Sequence, residues 1–527
     1  MKTFCICLFG LIFSISLHAG RYEDLKKHFA KNRSEHMSTV AATYFGGEGI
    51  EEFVAVGELK NGMIFAVGNA WGPQWPANTP ATLLGKGRHS GAQALTKDRK
   101  GREQLRYTED SAGFVLIYSA DLSKITAAWR MDWGVARFSD ACLDPVSGRL
   151  WICGKAGPHF SSLRSLSPAA SSVQEGFLMK MGSKIESIQA IPVEGTPIQL
   201  MPGKKGPPHV VVRGPARKKR KPALHYVPVF DQGKTGEVMT MTEPGKGGFL
   251  GRDPDDQHVY FGGDRNTHTG YQPWRQPFFY KLNPYKEKAL ILWEPNPKSC
   301  ACGGNGNGLC SDTSATSFGV ASNGDWYVTL WSDGGNSIAG KHPRDMSREW
   351  EGKSPMGIST WGVKGANSFS WILRMDPKTQ DVKVGTQWAA FLPESFSGGG
   401  NRPNAAHIDR MGLLDDGSVV LRGRAATGLV PTPHTYWERP GTYSGKMGGQ
   451  YVTVLMPDLS NARFSSYLPG YDQSTFTPIS RRGLLVGGRT AAFRLIDEEQ
   501  VAPPATQAVP QPNFGGGARD AHLILLR

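Results

Sequence analysis

Beyond its first twenty residues the chain has no apolar run near the ~18 residues a membrane helix needs, so no helical membrane span is expected there. Long 3.6-residue hydrophobic patterns are few, which argues against a helical architecture. G-x-S-x-G, H-E-x-x-H, the P-loop and the C-x-x-C-H haem signature are all absent, so no local motif identifies a reaction. Acidic residues are in deficit: 46 Asp and Glu face 60 Lys and Arg, a formal charge of +14. Cysteine is scarce, with seven in the whole chain, too few for a disulfide-built scaffold of this length.

The N-terminus does carry a signal. Lys2 precedes an uncharged apolar run over residues 5–17, and "LHA" ends at Ala19, a small residue suited to signal-peptidase cleavage. Residues 1–19 therefore read as a secretory signal peptide. Cys5 and Cys7 lie too early for a lipoprotein site, so the expected location is secreted or periplasmic. Cleavage removes one lysine and leaves a basic surplus that suits anionic partners, although it could serve solubility alone. Five cysteines then remain, Cys142, Cys153, Cys300, Cys302 and Cys310, and the odd count leaves one without a partner in the chain.

Sixty-five glycines and thirty-six prolines indicate many short strands joined by turns. One phrase recurs: an apolar strand, a tight turn, then a second apolar strand ending in Gly or a polar residue. It begins near residues 52, 140, 198, 248, 317, 411 and 476, as in "EFVAVGELKNGMIFAVGN" and "MGLLDDGSVVLRGR". Between successive copies lies a second strand pair, such as "GFVLIYSADLSKITAAWRM", which makes six pairs for seven copies. The seventh pair is split between the chain ends, "DAHLILLR" and "AATYFGG". Four strands repeated seven times predict an all-β, seven-bladed β-propeller, its ring closed by pairing the C-terminal strand with an N-terminal strand. The expected organisation is a lead-in over residues 20–40 and a single propeller domain over 41–527.

The segments "DAHLILL", "GFVLIYS", "PFFYKLNP" and "ATYFGG" resemble the bacterial SBBP-type seven-bladed propeller repeats, relatives of NHL repeats. The likeness covers most of residues 41–527. It implies a fold and export, and brings no catalytic residues, because such propellers are scaffolds with varied tasks.

Strand parity assigns the short turns within each phrase to one face and every long insertion to the other. Long loops on a rigid scaffold commonly carry binding or catalysis. The candidates for contact with a ligand are Trp71, Trp75, Arg265, His268, Trp274, Tyr436 and Trp437, since aromatic faces suit the C–H faces of sugars. The cationic run Arg217, Lys218, Lys219 and Arg220 could meet an anionic polymer, or be a solvated loop. Trp and Pro pinning the loops to the scaffold is the plain alternative. If the protein is an enzyme, His407, Asp409, His434 and Asp264 are the groups to test as acids and bases. Cys142 with Cys153, and Cys310 with Cys300 or else Cys302, are the expected disulfides. Cys300, Cys302 and Cys310 are weak metal candidates, because their spacing lacks paired C-x2-C.

The resulting expectation is an exported monomeric scaffold binding an anionic polysaccharide, another cell-surface polymer or a protein, with nucleic acid ranked behind these. A hydrolase or lyase acting on anionic polysaccharide is the alternative, and a metal or redox site at the cysteine loop the third. No cofactor is expected.

Overall fold

A computed structural model describes residues 21–527 except 32–34, 73–74, 76–78, 84–93, 98–102, 107–110, 158–174, 204–205, 216–221, 231–233, 242–248, 253–257, 267–272, 284–285, 294–307, 351–353, 364–367, 394–401, 441, 444–445, 481, 492, 495–499 and 516–518. The chain is a seven-bladed β-propeller, and its seven four-stranded blades follow the predicted phrases and pairs one by one.

Blade 1 runs Ile50–Glu58, Ile64–Trp71, Ser111–Tyr118 and the first part of Ile125–Leu143. That 19-residue strand continues as the innermost strand of blade 2, followed by Leu150–Ala156, Gly176–Met181 and Ile185–Ala190. Blade 3 is Thr196–Met201, His209–Arg213, Leu224–Val227 and Met239–Met241, and blade 4 is Phe249–Arg252, Val259–Asn266, Arg275–Asn283 and Lys286–Leu292. Blade 5 is Thr313–Val320, Trp326–Ser332, Phe369–Met375 and Val382–Trp388. Blade 6 is Ala406–Leu413, Val419–Ala426, Lys446–Leu455 and Ala462–Leu468. Blade 7 is Tyr471–Ile479, Gly483–Thr490, Asp520–Leu526 and Thr39–Phe45.

The chain divides into two compact units. One contains blades 7, 1, 2 and 3. Its cores alternate aromatic and aliphatic residues from facing sheets, with Phe45, Phe53 and Phe114 packed against Leu485, Leu523 and Leu525. In blade 7 the segment "DAHLILL" lies between two antiparallel partners: Leu523 faces Thr43 on one side and Gly487 on the other. Both edges of that strand are satisfied, which removes the exposed edge an open sheet would present.

The other unit contains blades 5 and 6 together with residues before Thr39. The lead-in holds a helix, Arg21–Phe29, that the sequence did not announce. Its two apolar side chains, Leu25 and Phe29, stand four apart on one face and are buried, with Phe29 stacked on Trp388 at 6.5 Å. Arg21 Nη1 donates to the Ser359 carbonyl at 2.7 Å, and His28 Nε2 bonds the Ser460 carbonyl at 2.8 Å, so the helix is fastened at both ends.

A bulge recurs near the start of six innermost strands. The ladder skips Val54 in blade 1, Ser139 in blade 2, Ile198 in blade 3, Thr316 in blade 5, Asp409 in blade 6 and Asp472 in blade 7. Each skipped residue lacks a register partner and bends its strand locally. The bulged backbone presses on the neighbouring strand, and glycine answers it there. A Cβ on Gly423 would collide with the His407 carbonyl, and one on Gly68 with that of Glu52. This accounts for the glycine closing so many of the repeated phrases.

One expected disulfide is overturned. Cys142 and Cys153 are free thiols. Both lie on antiparallel neighbours, but Cys142 faces Trp151 and Cys153 faces Asp140. Diagonal positions stand roughly 7–8 Å apart, beyond the reach of a disulfide. Burial pushes the Cys153 thiol well above its ordinary pKa, aided by the charges at Asp140 and Cys142, which keeps it inert.

Candidate functional site

Each innermost strand starts, and each second strand ends, at the same end of its blade, where the long insertions attach. In blade 6 this end carries His407 and Asp409. The sequence grouped them with the insertions, but both are on the innermost strand Ala406–Leu413. Two residues apart on a strand, they share a face. Asp409 is the bulged residue, and His407 Nδ1 lies 2.9 Å from its Oδ1. An ionised carboxylate can only accept, so Nδ1 donates the hydrogen of this bond and Nε2 is turned away from it. The intervening Ile408 is fully buried and anchors the strand.

Arginines surround this pair. Arg424 Nε is 3.9 Å from Asp409 Oδ2 and its side chain is largely exposed. Arg422 is half-buried, and desolvation lowers its pKa to about 10 against the opposing pull of Asp409. Burial acts to raise Asp409, but the hydrogen bond from His407 and the charges of His407, Arg422 and Arg424 outweigh it and hold the carboxyl below its usual range. The Trp331 ring stands edge to face with His407 at 6.4 Å. The result is an oriented imidazole backed by a carboxylate, the arrangement of a general base.

Blade 5 places two further carboxyl groups at its corresponding end. Asp312 precedes the innermost strand and Asp333 follows the second, and the Asp333 N–H donates to the Asp312 carbonyl at 3.1 Å. Asp312 Oδ1 accepts the backbone N–H groups of Trp274 at 2.9 Å and Arg275 at 3.1 Å. Asp333 is pushed up to about 6, by burial first and then by the charge of Asp312. Because its folded pKa is raised, its contribution to stability is full below the unfolded value near ~3.9 and lost as pH rises through about 6. Asp333→Asn is expected to remove that loss. Melting temperatures from pH 4 to 8 should show wild type falling relative to the variant between about pH 4 and 6 and keeping a constant offset above that, and curves parallel across the whole range would refute the assignment.

The unit of blades 7, 1, 2 and 3 holds a separate ionic cluster. Glu52 is wholly buried on the innermost strand of blade 1. Its carboxylate accepts Asn69 Nδ2 at 3.0 Å, Arg137 Nε at 3.1 Å and Arg489 Nη1 at 3.3 Å. Arg489 also forks onto Asp472, at 2.7 and 3.0 Å, and Arg519 reaches the same carboxylate at 3.4 Å. Three guanidinium groups thus meet two carboxylates, and Arg137 keeps 41% of its side chain exposed, so positive charge is left at the surface. Glu52→Ala would leave Arg489 buried with half its partners. A loss of about 3–5 kcal/mol is expected, read from the urea midpoint.

The other sequence candidates scatter. Trp71 is buried at 2% exposure and Asp264 at 1%, so neither presents a face to a ligand. Trp75 is half-buried, its Nε1 donating to the Thr79 carbonyl at 2.8 Å, with Arg130 above the ring at 5.3 Å. It lines a groove of about 700 Å³ with Lys124, Gln511 and Phe514. Trp274 is 44% exposed, the most open of the candidate tryptophans. Arg265 and Tyr436 are half-buried, and His434 sits on an exposed turn at φ 63°. Trp437 packs on the core of its unit, its backbone bonded to Ser466. His268, Arg217, Lys218, Lys219, Arg220, Cys300 and Cys302 lie outside the described residues. The pairing of Cys310 with Cys300 or Cys302 therefore stays an expectation, as does metal binding there.

No family model matches the chain, so its likeness to SBBP-type repeats is kept at the level of the fold. No curated protein matches it significantly either. Among solved structures it is similar to a protein of unknown function from Dyadobacter fermentans, with TM-score 0.39 and 10% identity over 93% of this chain and 99% of that one. An ulvan lyase from a new polysaccharide lyase family, bound to -[GlcA(1-4)Rha3S]-, gives TM-score 0.38 and 10% identity over 85% and 92% of the two chains. The WD40 domain of SCAP from fission yeast gives 0.32 and 8%, over 94% and 95%.

Proposed function

We propose that the protein acts on an anionic polysaccharide, with His407 as the base and Asp409 fixing its tautomer. The observation carrying this reading is the 2.9 Å His407–Asp409 bond, set on a bulge among arginines. A base beside guanidinium groups suits β-elimination from a uronate. Cations stabilise the negative charge that develops on the carboxylate when the adjacent carbon loses its proton. In that step the proton passes to Nε2, a carbon–carbon double bond forms, and the glycosidic oxygen leaves and is protonated. The basic surplus would concentrate the polymer, and the signal peptide expected at residues 1–19 would send the protein to meet it outside the cytoplasm.

Binding without turnover is the second reading, favoured by the exposed Trp274 ring and the open Arg137 guanidinium. One screen separates the two. Purified protein is offered a panel of uronic and sulfated polysaccharides at low salt, and retention, new reducing ends and ultraviolet absorbance of an unsaturated sugar are followed. Elimination gives all three signals, and hydrolysis gives reducing ends without the absorbance. A scaffold gives retention alone, weakening as salt rises. No retained polymer at low salt would overturn both readings.

A further inference from the structure

The strand that closes blade 7 meets the start of blade 1 around two buried carboxyl groups that the proposed reaction does not use. Glu51 is 1% exposed and Asp520 is fully buried. They are neighbours: the Asp520 carboxyl lies against Gly46, and the Glu51 carboxylate bonds the next residue, Gly47. Their backbones are joined, since the Glu51 N–H donates to the Arg519 carbonyl at 3.0 Å and Ile50 bridges Arg519 in parallel. Glu51 Oε2 accepts the Gly47 N–H at 3.2 Å, and one Asp520 oxygen, Oδ2, accepts the Gly515 N–H. The other oxygen, Asp520 Oδ1, is buried with no hydrogen-bond partner. No cationic side chain pairs with either group among the described residues. The room for Oδ1 is made by Gly46, whose absent side chain would occupy the position of that carboxyl.

Two carboxylates in one buried place are held together by an added positive charge or by a shared proton. The Asp520 oxygen left buried and without a partner beside Gly46 favours the cation, because a buried acceptor left unmade is costly. The donors are hard oxygens, those of two carboxyl groups. That set suits Ca²⁺, which tolerates irregular oxygen shells, better than Mg²⁺, which demands a near-ideal octahedron and retains its waters. With so few charged ligands the affinity would resemble that of extracellular modules, on the order of 10⁻⁴–10⁻³ M.

We infer that Glu51 and Asp520 form a Ca²⁺ site that staples the closing strand of blade 7 to the first strand of blade 1. Bound to the folded state alone, the ion stabilises the closure by mass action.

The test uses the full chain, stripped with EDTA and then titrated with CaCl₂ or MgCl₂ in the millimolar range. Wild type should gain roughly 1–3 °C in melting temperature with Ca²⁺ and less with Mg²⁺, and calorimetry should show one Ca²⁺ bound. Asp520→Asn keeps the bond from Gly515 and should abolish the Ca²⁺ response, as should Glu51→Gln. If one variant fails to fold, the other and the wild-type calorimetry decide. Absence of a Ca²⁺ response in wild type overturns the site. So does an undiminished response in a folded variant, which would put the ion elsewhere. Stabilisation of the metal-free protein on acidification, without any Ca²⁺ effect, would identify a shared proton instead.

Discussion

Deletion of residues 521–527 is expected to abolish cooperative folding. The segment is the third strand of blade 7 and pairs on both sides, with Thr39–Phe45 and with Gly483–Thr490. Leu523, Ile524, Leu525 and Leu526 are each exposed by 1% or less. Burial of four such side chains is worth on the order of 6–12 kcal/mol. A domain commonly has only about 5–15 kcal/mol of net stability. Removal also opens two ladders at once and exposes sheet edges, so association of the truncated protein is expected besides its loss of structure. Circular dichroism and thermal melting of the truncated chain are the measurement, with Leu525→Ala as a milder step expected to cost about 2–5 kcal/mol. A truncated protein that melts at the wild-type temperature would refute the closure.

His407→Ala carries the second large expectation. If His407 is the base, turnover of the polymer found in the screen should fall by roughly 100- to 10,000-fold. Melting should scarcely change, because the side chain is 32% exposed and, among the described residues, its one hydrogen bond runs to Asp409. Asp409→Asn should be milder, since the amide oxygen can still accept from Nδ1 while the stabilising charge is gone. Retention of the polymer should survive both substitutions. Activity equal to wild type in His407→Ala would remove the dyad from the mechanism and turn attention to Asp312 and Asp333. Loss of retention without any measurable turnover would instead place His407 in a binding surface.

Much of the fold could be read from the sequence because the repeat is carried by hairpins. Apolar alternation with Asp, Asn and Gly turns marks both strands of "MGLLDDGSVVLRGR" and its relatives. The starts of the innermost strands were harder to read, because polar residues stand there: Glu51 and Glu52, His407 and Asp409, Asp472. They interrupt the apolar pattern at the end of each blade where the long insertions attach, and so His407 reads as part of an insertion. The helix Arg21–Phe29 offers only two apolar positions, too few to reveal a period. The cysteine pair misled because sequence shows proximity to a turn without showing register, and Cys142 proved to face Trp151. Asp312 and Asp333 went unnoticed as a pair, although they sit just outside the two strands of one hairpin phrase.

The bulged residues have a consequence for how such a protein can change. A residue inside a ladder is tied to the side chain opposite it, so its replacement disturbs a partner. The skipped residue has no register partner, although its side chain can still reach across, as Asp472 does to Arg489 and Thr316 to Thr329, while the ladder on either side keeps its register. In this chain that position holds Val54, Ser139, Ile198, Thr316, Asp409 and Asp472, from aliphatic through hydroxyl to carboxylate. The backbone around it is the same device each time. Six of the seven blades therefore offer a position at which the side chain has varied from aliphatic to carboxylate without redrawing the architecture that holds it.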